Sequence, residues 1–413
     1  IIIDEVHNIR DINDAPAQEI DDDGKKKKKE NIKGTTENFK KLVAYADNLK
    51  LLLLTGTPMY NEYKEIIWLL NLMNLNDNRY TIEESDIFDN NGEFIIDDNG
   101  KNIGEELLIQ KSTGYVSFVK GEDPYMFPFR VYPENDNTKG GYSENSLNLL
   151  KLKKESGYVY PKYQLNDVEI DKDKQEGEIK GIQFLDIFLT TIGSGQKIIY
   201  EDYINKLIKD NTFKKGQKNF SYAALSTPSQ LLNISYPSEE RDIKYHYGEK
   251  GLKEIMNFNR SSMTDFEYKE NYEGFFKINK LQEWSGKITK IIKEIEKSEG
   301  IILIYSQYIA GGCIPMALAL EEAGYGKHRG KSIFKKPPAK PVDGKTRGSY
   351  ITITGQTKSG ELIKDLSDCN AVDNKNGDKI KVVIISRAGS EGLDFANIRQ
   401  VHILDAWYNL NRT

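Results

Sequence analysis

At 413 residues and 38% hydrophobic content, the chain is too long for one small domain and can bury two or three ordinary cores. Its net charge of −5 gives no global attraction for nucleic acid, so any such binding needs a local basic groove. Its 2 cysteines, Cys313 and Cys369, exclude a disulfide framework and a cysteine metal cluster and fit a reducing compartment; no apolar run approaches the roughly 20 residues that span a bilayer.

The first eighty or so residues alternate strand and helix signals. "IIID" reads as a strand, "TENFKKLVAYAD" as a helix, "KLLLLTGTP" as a strand and "YKEIIWLLNLMN" as a helix, a pattern that predicts a parallel sheet covered by helices. The unbroken apolar run Leu51 to Leu54 predicts burial on both sheet faces. The helix after Pro58 places Ile66, Ile67, Leu69, Leu70 and Met73 largely on one face, toward that sheet. Between the first two elements, "DDDGKKKKKE" is a block of opposed charges expected in a solvated loop.

From Tyr80 to Lys111 the sequence turns polar, and "DNNGEFIIDDNGK" predicts a hairpin-like excursion. The aromatic and proline-rich "GYVSFVKGEDPYMFPFRVYP" predicts an extended connector. Residues 137–275 read as a folded segment of no assignable type. A second alternating block follows. "SGKITKIIKEIEKSEG" is a helix with Ile288, Ile291, Ile292 and Ile295 on its apolar face, followed by the strand "GIILIYS", the helix "CIPMALALEEAGY" and the strands "YITITG", "KIKVVIIS" and "VHILD".

Three strand ends carry chemistry. At the carboxyl end of a parallel strand, one carboxylate of "DEVH" suits a hydrated Mg²⁺ and its neighbour suits polarising a water, which assigns Asp4 to the metal and Glu5 to the water. His7 is placed to link that site to another strand end, and Thr55, Gly56 and Thr57 of "LLLLTGTP" offer small hydroxyl partners for it. After "VVIIS", which ends in Ser386, a loop with Gly389 and Gly392 followed by Asp394 permits close backbone approach to a phosphate or ribose.

Together these stretches resemble superfamily 2 helicases and translocases, with "DEVH" as motif II, "LTGTP" as motif III, "GIILIYSQ" near motif IV and "SRAGSEGLDF" as motif V. The resemblance is closest to the DEAH-box-like, Swi/Snf-like ATPases of large DNA viruses, the group that includes poxviral nucleoside triphosphate phosphohydrolase I and the early transcription factor small subunit. It is carried by "TGTPMYNEYKEIIWLLNLMN", the connector, "QLLNISYP", "YSQYIAGGCIPMALALEEAGY" and "SEGLDFANIRQVHILDAWYNLNR".

The resemblance implies an α/β protein of two RecA-like lobes with parallel sheets, both incomplete: 1–136 as the end of the first lobe plus connector, 137–275 as an insertion, and 276–413 as a truncated second lobe. It implies ATP and Mg²⁺ as cofactors. Asp4, Glu5 and His7 would serve catalysis, and Thr55, Gly56, Thr57, Gly392 and Asp394 would couple ATP. Thr354, Gly355 and Ser386 would face nucleic acid, and Trp407 and Tyr408 offer rings that either stack on a base or pack the fold.

The family's phosphate loop lies upstream of motif II and its arginine-bearing motif VI lies downstream of "WYNLNR". Two lookalikes, "GYGKHRGKS" and "DGKTRG", lack the required glycine spacing. The sequence therefore reads as an internal piece of a longer ATPase, and this piece alone is expected to be inactive. The implied setting is viral transcription, in the host cytoplasm or the virion. The implied partners are DNA or RNA and a viral RNA polymerase or transcription factor subunit, with no membrane. The alternatives are a remodelling or repair translocase, or a non-catalytic scaffold that docks a polymerase through 137–275.

Overall fold

A computed structural model describes residues 1–9, 30–59, 64–89, 92–118, 190–210, 222–339, 347–355, 357–387 and 393–406. The lysine run, the connector from 119 on, residues 137–189, most of "DGKTRG", Gly389, Gly392, Trp407 and Tyr408 lie outside the described residues. The chain divides into two compact units, Ile1–Phe129 and Arg130–Thr413.

In the first unit, β1 (Ile2–Ile3) pairs in parallel with β2 (Leu52–Leu53), Ile2 opposite Leu52 and Ile3 opposite Leu53. Helices α1 (Glu30–Tyr45) and α2 (Glu65–Asn76) cover one side of this pair. Phe39, Val43 and Leu72 form a core there with Ile3, Leu51 and Leu53. The expectation of burial on both faces is corrected: Leu52 and Leu54 point away from that core and are 49% and 41% exposed, because among the described residues helices pack on one face only. Helix α2 does not present a single apolar face either. Its Leu72 enters this core while Ile67 joins Ile82, Ile87 and Phe88 in another, so the helix is apolar on two sides.

The polar excursion contains the expected hairpin contacts, Phe88 opposite Phe94 and Ile96 opposite Asn102. It also contains a helix that the pattern did not predict, α3 (Ile103–Ser112). Asn102 caps it by accepting from the Glu105 amide at 3.0 Å, which satisfies one of the unpaired N–H groups of the first turn.

In the second unit, helices α4 (Ser194–Lys209), α5 (Tyr222–Asn233) and α6 (Gly248–Ile255) precede a hairpin of β3 (Met256–Asn259) and β4 (Thr264–Tyr268). Helices α7 (Ile278–Trp284) and α8 (Gly286–Lys297) lead into the main sheet. That sheet comprises β5 (Ile301–Tyr305), β6 (Gly326–Lys327), β7 (Ser349–Ile353), β8 (Ile380–Ile385) and β9 (Ile398–Ile403). All its pairings are parallel, in the order β6-β7-β8-β5-β9. Helix α9 (Ile314–Glu322) connects β5 to β6, and α10 (Ser359–Cys369) connects β7 to β8.

The central strand β5 is an uninterrupted apolar run and β8 is apolar but for Lys381, and both are buried on both faces, as a covered parallel sheet requires. Ile302 and Ile304 face a large core with Ile288, Ile292 and Leu318. Ile301 and Tyr305 face a second core with Ile351, Val383 and Cys369 beneath α10. At the sheet edge, β9 alternates half-buried and exposed residues.

The expected boundary between residues 275 and 276 runs through one core. Ile234, Tyr236, Leu252, Ile255, Phe266 and Phe276 pack in the same cluster as Ile288 and Ile302. The described part of the insertion is thus built into the sheet-bearing unit. Its hairpin gains a further strand contact where the Phe266 amide donates to Ile333 O at 3.0 Å and the Lys335 amide to Phe266 O at 2.9 Å. The "GYGKHRGKS" lookalike forms β6 and a following turn, and Ser332 donates to Glu321, so no phosphate loop is made there. Among the described residues no helix is long and apolar enough to cross a membrane.

Candidate functional site

In the first unit the chain leaves β1 through Asp4 and enters a short 3₁₀ turn, Val6–Asn8. The Val6 amide still donates to Leu54 O at 3.1 Å, so the two strands stay in register past their formal ends. Glu5 is the hinge of that turn, with φ 50° and ψ 45°. A non-glycine residue in the left-handed region is disfavoured by about 1–2 kcal/mol, and such strain concentrates at functional positions. The Glu5 amide donates to Asp4 Oδ1 at 2.9 Å.

His7 is buried directly behind this turn. Its Nδ1 lies 2.9 Å from Thr55 Oγ1, 3.4 Å from Thr57 Oγ1 and 3.3 Å from Glu5 Oε2. The Thr57 amide donates to Thr55 Oγ1 at 3.0 Å, which closes the turn after β2 around the imidazole. The structure thus brings Asp4, Glu5, His7, Thr55 and Thr57 into one constellation at the carboxyl ends of two parallel strands. Gly56 sits at the open tip of the turn, where an added Cβ meets nothing within 4 Å. Packing does not require glycine there.

In the second unit the carboxyl ends of the strands are aligned by backbone bonds. Ser386 donates its amide to Ile353 O at 2.9 Å, Ser306 to Ile385 O at 3.1 Å and Leu404 to Tyr305 O at 2.9 Å. Thr354 closes a tight turn before α10, its amide donating to Thr357 Oγ1 at 2.9 Å, and Gly355 is exposed beside it. Asp394 is exposed between Leu393 and Phe395, both of which pack on the second core. Ser386 stands apart from the surface residues: it is buried, so its hydroxyl is not presented to solvent as a backbone-phosphate contact needs.

The same edge holds a polar network that sequence reasoning missed. Asp405, just past β9, accepts from Ser306 Oγ at 2.5 Å and Asn233 Nδ2 at 2.7 Å on Oδ1, and from the Gln307 amide at 2.9 Å on Oδ2. Lys287 donates to Leu404 O at 2.6 Å and to Asn233 Oδ1 at 3.2 Å. Burial pushes the Asp405 carboxyl upward, against the pull of its donors and Lys287. Burial likewise pushes the Lys287 amine down, opposed by Asp405. Three donors converging on both oxygens match the ionised carboxylate, which accepts only. The available signal was a polar residue directly after each apolar run, Ser306 in "GIILIYSQ" and Asp405 in "VHILDA".

No protein-family model matches the chain. A putative ATP-dependent RNA helicase of Acanthamoeba polyphaga mimivirus is 23% identical over 371 residues, 89% of this chain and 49% of the relative. A termination factor NPH-I homolog of African swine fever virus is 35% identical over 155 residues, 31% of this chain and 21% of the relative. A putative helicase of invertebrate iridescent virus 3 is 29% identical over 138 residues, 32% of this chain and 13% of the relative. These relatives are viral proteins, named as helicases or as a termination factor homolog. The chain spans about half the length of the mimivirus helicase and 34% of a second one, so the viral helicases are longer proteins. A solved structure, the Sulfolobus solfataricus SWI2/SNF2 ATPase C-terminal domain, matches 53% of this chain and 71% of its own at 15% identity, with a TM-score of 0.31, too low to bear on the fold.

Proposed function

We propose that this chain is part of an ATP-dependent nucleic-acid helicase or translocase in which Asp4 and Glu5 serve ATP hydrolysis. The observation that carries the reading is the contact of His7 with both Glu5 and Thr55, which ties the acid pair at one strand end to the hydroxyl turn at the next. Glu5 would accept the proton of the attacking water, and its strained backbone fixes where that carboxylate is presented.

Asp4, an exposed hard-oxygen donor, is the residue that would hold Mg²⁺. Among the described residues no group of three or more His, Cys, Asp or Glu could hold a metal. Mg²⁺ binds through one or two carboxylates, waters and substrate phosphates, so the Asp4 carboxylate could be the protein's share of its ligands. When bound, the ion would supply positive charge against the negative charge developing on the phosphate. His7 and Thr55 would sense occupancy of the site, since any shift of Glu5 is felt at the β2 turn through the imidazole.

Thr354 and Gly355 supply a hydroxyl-bearing turn and an unhindered amide suited to a phosphate oxygen of the nucleic-acid backbone. The name of the African swine fever virus relative, termination factor, supports work in viral transcription on DNA or RNA, in the infected cytoplasm or the virion, beside a viral RNA polymerase or transcription factor subunit. The test is phosphate release from ATP by the full-length protein, with and without added DNA or RNA. Hydrolysis stimulated by nucleic acid is expected, and its absence with both polymers contradicts the reading.

A further inference from the structure

The Asp405 network joins parts of the second unit that are far apart in sequence. Asn233 ends α5, Lys287 lies in the first turn of α8, Ser306 and Gln307 follow β5, and Asp405 follows β9. Asn233 and Asp405 are 172 residues apart in the chain. The joint is fitted closely. Gly312 lets the turn before α9 approach, since a Cβ there falls 2.0 Å from Ser306 Oγ, and a Cβ on Gly311 falls 2.5 Å from Gln230 Oε1. Asn233 Nδ2 also reaches Gly311 O at 3.3 Å, and Ser285 Oγ donates to Asn233 O at 2.6 Å.

A buried carboxylate and amine that meet only through shared neighbours, Asn233 and the Leu404 carbonyl, are a poor device for stability alone, because desolvation offsets their attraction. Their virtue is geometric: directed bonds admit one arrangement of the strand ends. The network sits at the carboxyl edge of a parallel sheet, where α/β proteins bind their ligands.

We propose that Asp405 is a positioning residue that locks the Ser306–Tyr308 turn and the end of β9 to helices α5 and α8, so that the carboxyl edge and these helices respond to nucleic acid as one body. This rests on the motor reading given above. Asp405 and Lys287 touch no substrate in this scheme. They hold the edge on which Thr354 and Gly355 are presented in the same register as the helices that precede the sheet.

The test uses full-length protein carrying Asp405→Asn, Lys287→Met, or both. Asp405→Asn takes an acceptor oxygen from the three donors and the nearby negative charge from the buried Lys287 amine, and Lys287→Met removes the charge that opposes the burial of Asp405, so the melting temperature falls. The double change removes both charges and brings the melting temperature back to within about 2 °C of wild type. In that recovered protein, nucleic-acid stimulation of ATP hydrolysis stays at least about tenfold below wild type, while KM for ATP moves less than about twofold.

A recovered melting temperature together with wild-type stimulation overturns the proposal, since the pair is then structural only. If the double variant does not recover, Ser306→Ala decides. Loss of this donor lowers the melting temperature somewhat, and well below that temperature stimulation should still fall at least about threefold; unchanged stimulation overturns the proposal. If wild-type protein hydrolyses no ATP, the motor reading falls, and the lock is judged by amide exchange at Gln307. Faster exchange in Asp405→Asn supports it and unchanged exchange overturns it.

Discussion

Glu5 is held at φ 50° and ψ 45°, a conformation that a glycine adopts freely and a glutamate does not. Replacing it by glycine relieves that strain, so Glu5→Gly is expected to melt at or above the wild-type temperature while hydrolysis is lost. A clear fall in melting temperature would show that the side chain, through His7, stabilises the turn by more than the roughly 1–2 kcal/mol of strain. The position of the acid pair at a strand end was legible in "DEVH", because a carboxylate pair follows an apolar run there, although Ile1 and Ile2 of that run are exposed. The left-handed hinge was not, since nothing in a tetrapeptide reports which residue must reverse the chain. Nor was the Asp405 network legible. Its members are ordinary polar residues, and only the folded sheet brings Asn233 beside Asp405.

Among the elements, glycines divide by what surrounds them. At the start of α8, a Cβ on Gly286 falls 2.0 Å from Thr191 O, a backbone atom that cannot yield cheaply. Gly286→Ala should therefore destabilise the second unit by about 1–3 kcal/mol, whereas Gly56→Ala, opening into empty space, should change stability by less than about 0.5 kcal/mol. Equal thermal melts for the two variants would contradict this division.

Helix α10 is tied to the β6 strand through Asp368, which accepts from His328 Nε2 at 2.9 Å and from Arg329. These two bonds hold its carboxyl below the usual range, so the folded state binds its proton less readily than the unfolded chain. The stabilisation is therefore full above the unfolded value of about 4 and is lost as pH falls through the depressed value. Asp368→Asn should lower stability at neutral pH and leave a difference from wild type that vanishes in acid. A difference independent of pH would exclude the carboxylate as its source.

The elements show why some patterns read cleanly. Helix α8 buries Ile288, Ile291, Ile292 and Ile295 as its periodicity expects, β5 is an unbroken apolar strand, and β8 is one apart from Lys381. By contrast, α3 hides in a polar run whose glycines and asparagines signal turns, and one of those asparagines, Asn102, is its cap. The residues after 233 looked untypable because their apolar positions are scattered among polar ones, although they complete the core beneath the sheet.

With each unit taken by itself, the strands of the β1-β2 pair and of the main sheet run parallel, and Asp4, Thr55 and Thr354 follow the carboxyl ends of β1, β2 and β7. With a net charge of −5, the proposed nucleic-acid binding would depend on local features such as the Thr354 turn rather than on bulk attraction. The central claim is the division of labour between Asp4 and Glu5. It is tested most directly by measuring Mg²⁺-ATP affinity and phosphate release side by side in full-length protein. Glu5→Gln should bind ATP about as tightly as wild type and release phosphate at least about 10²-fold more slowly, since only the general base is lost. Asp4→Asn should weaken Mg²⁺-ATP binding as well, because the metal loses a carboxylate ligand. Near-normal phosphate release by Glu5→Gln would contradict the account and return the acid pair to a strand end without chemistry.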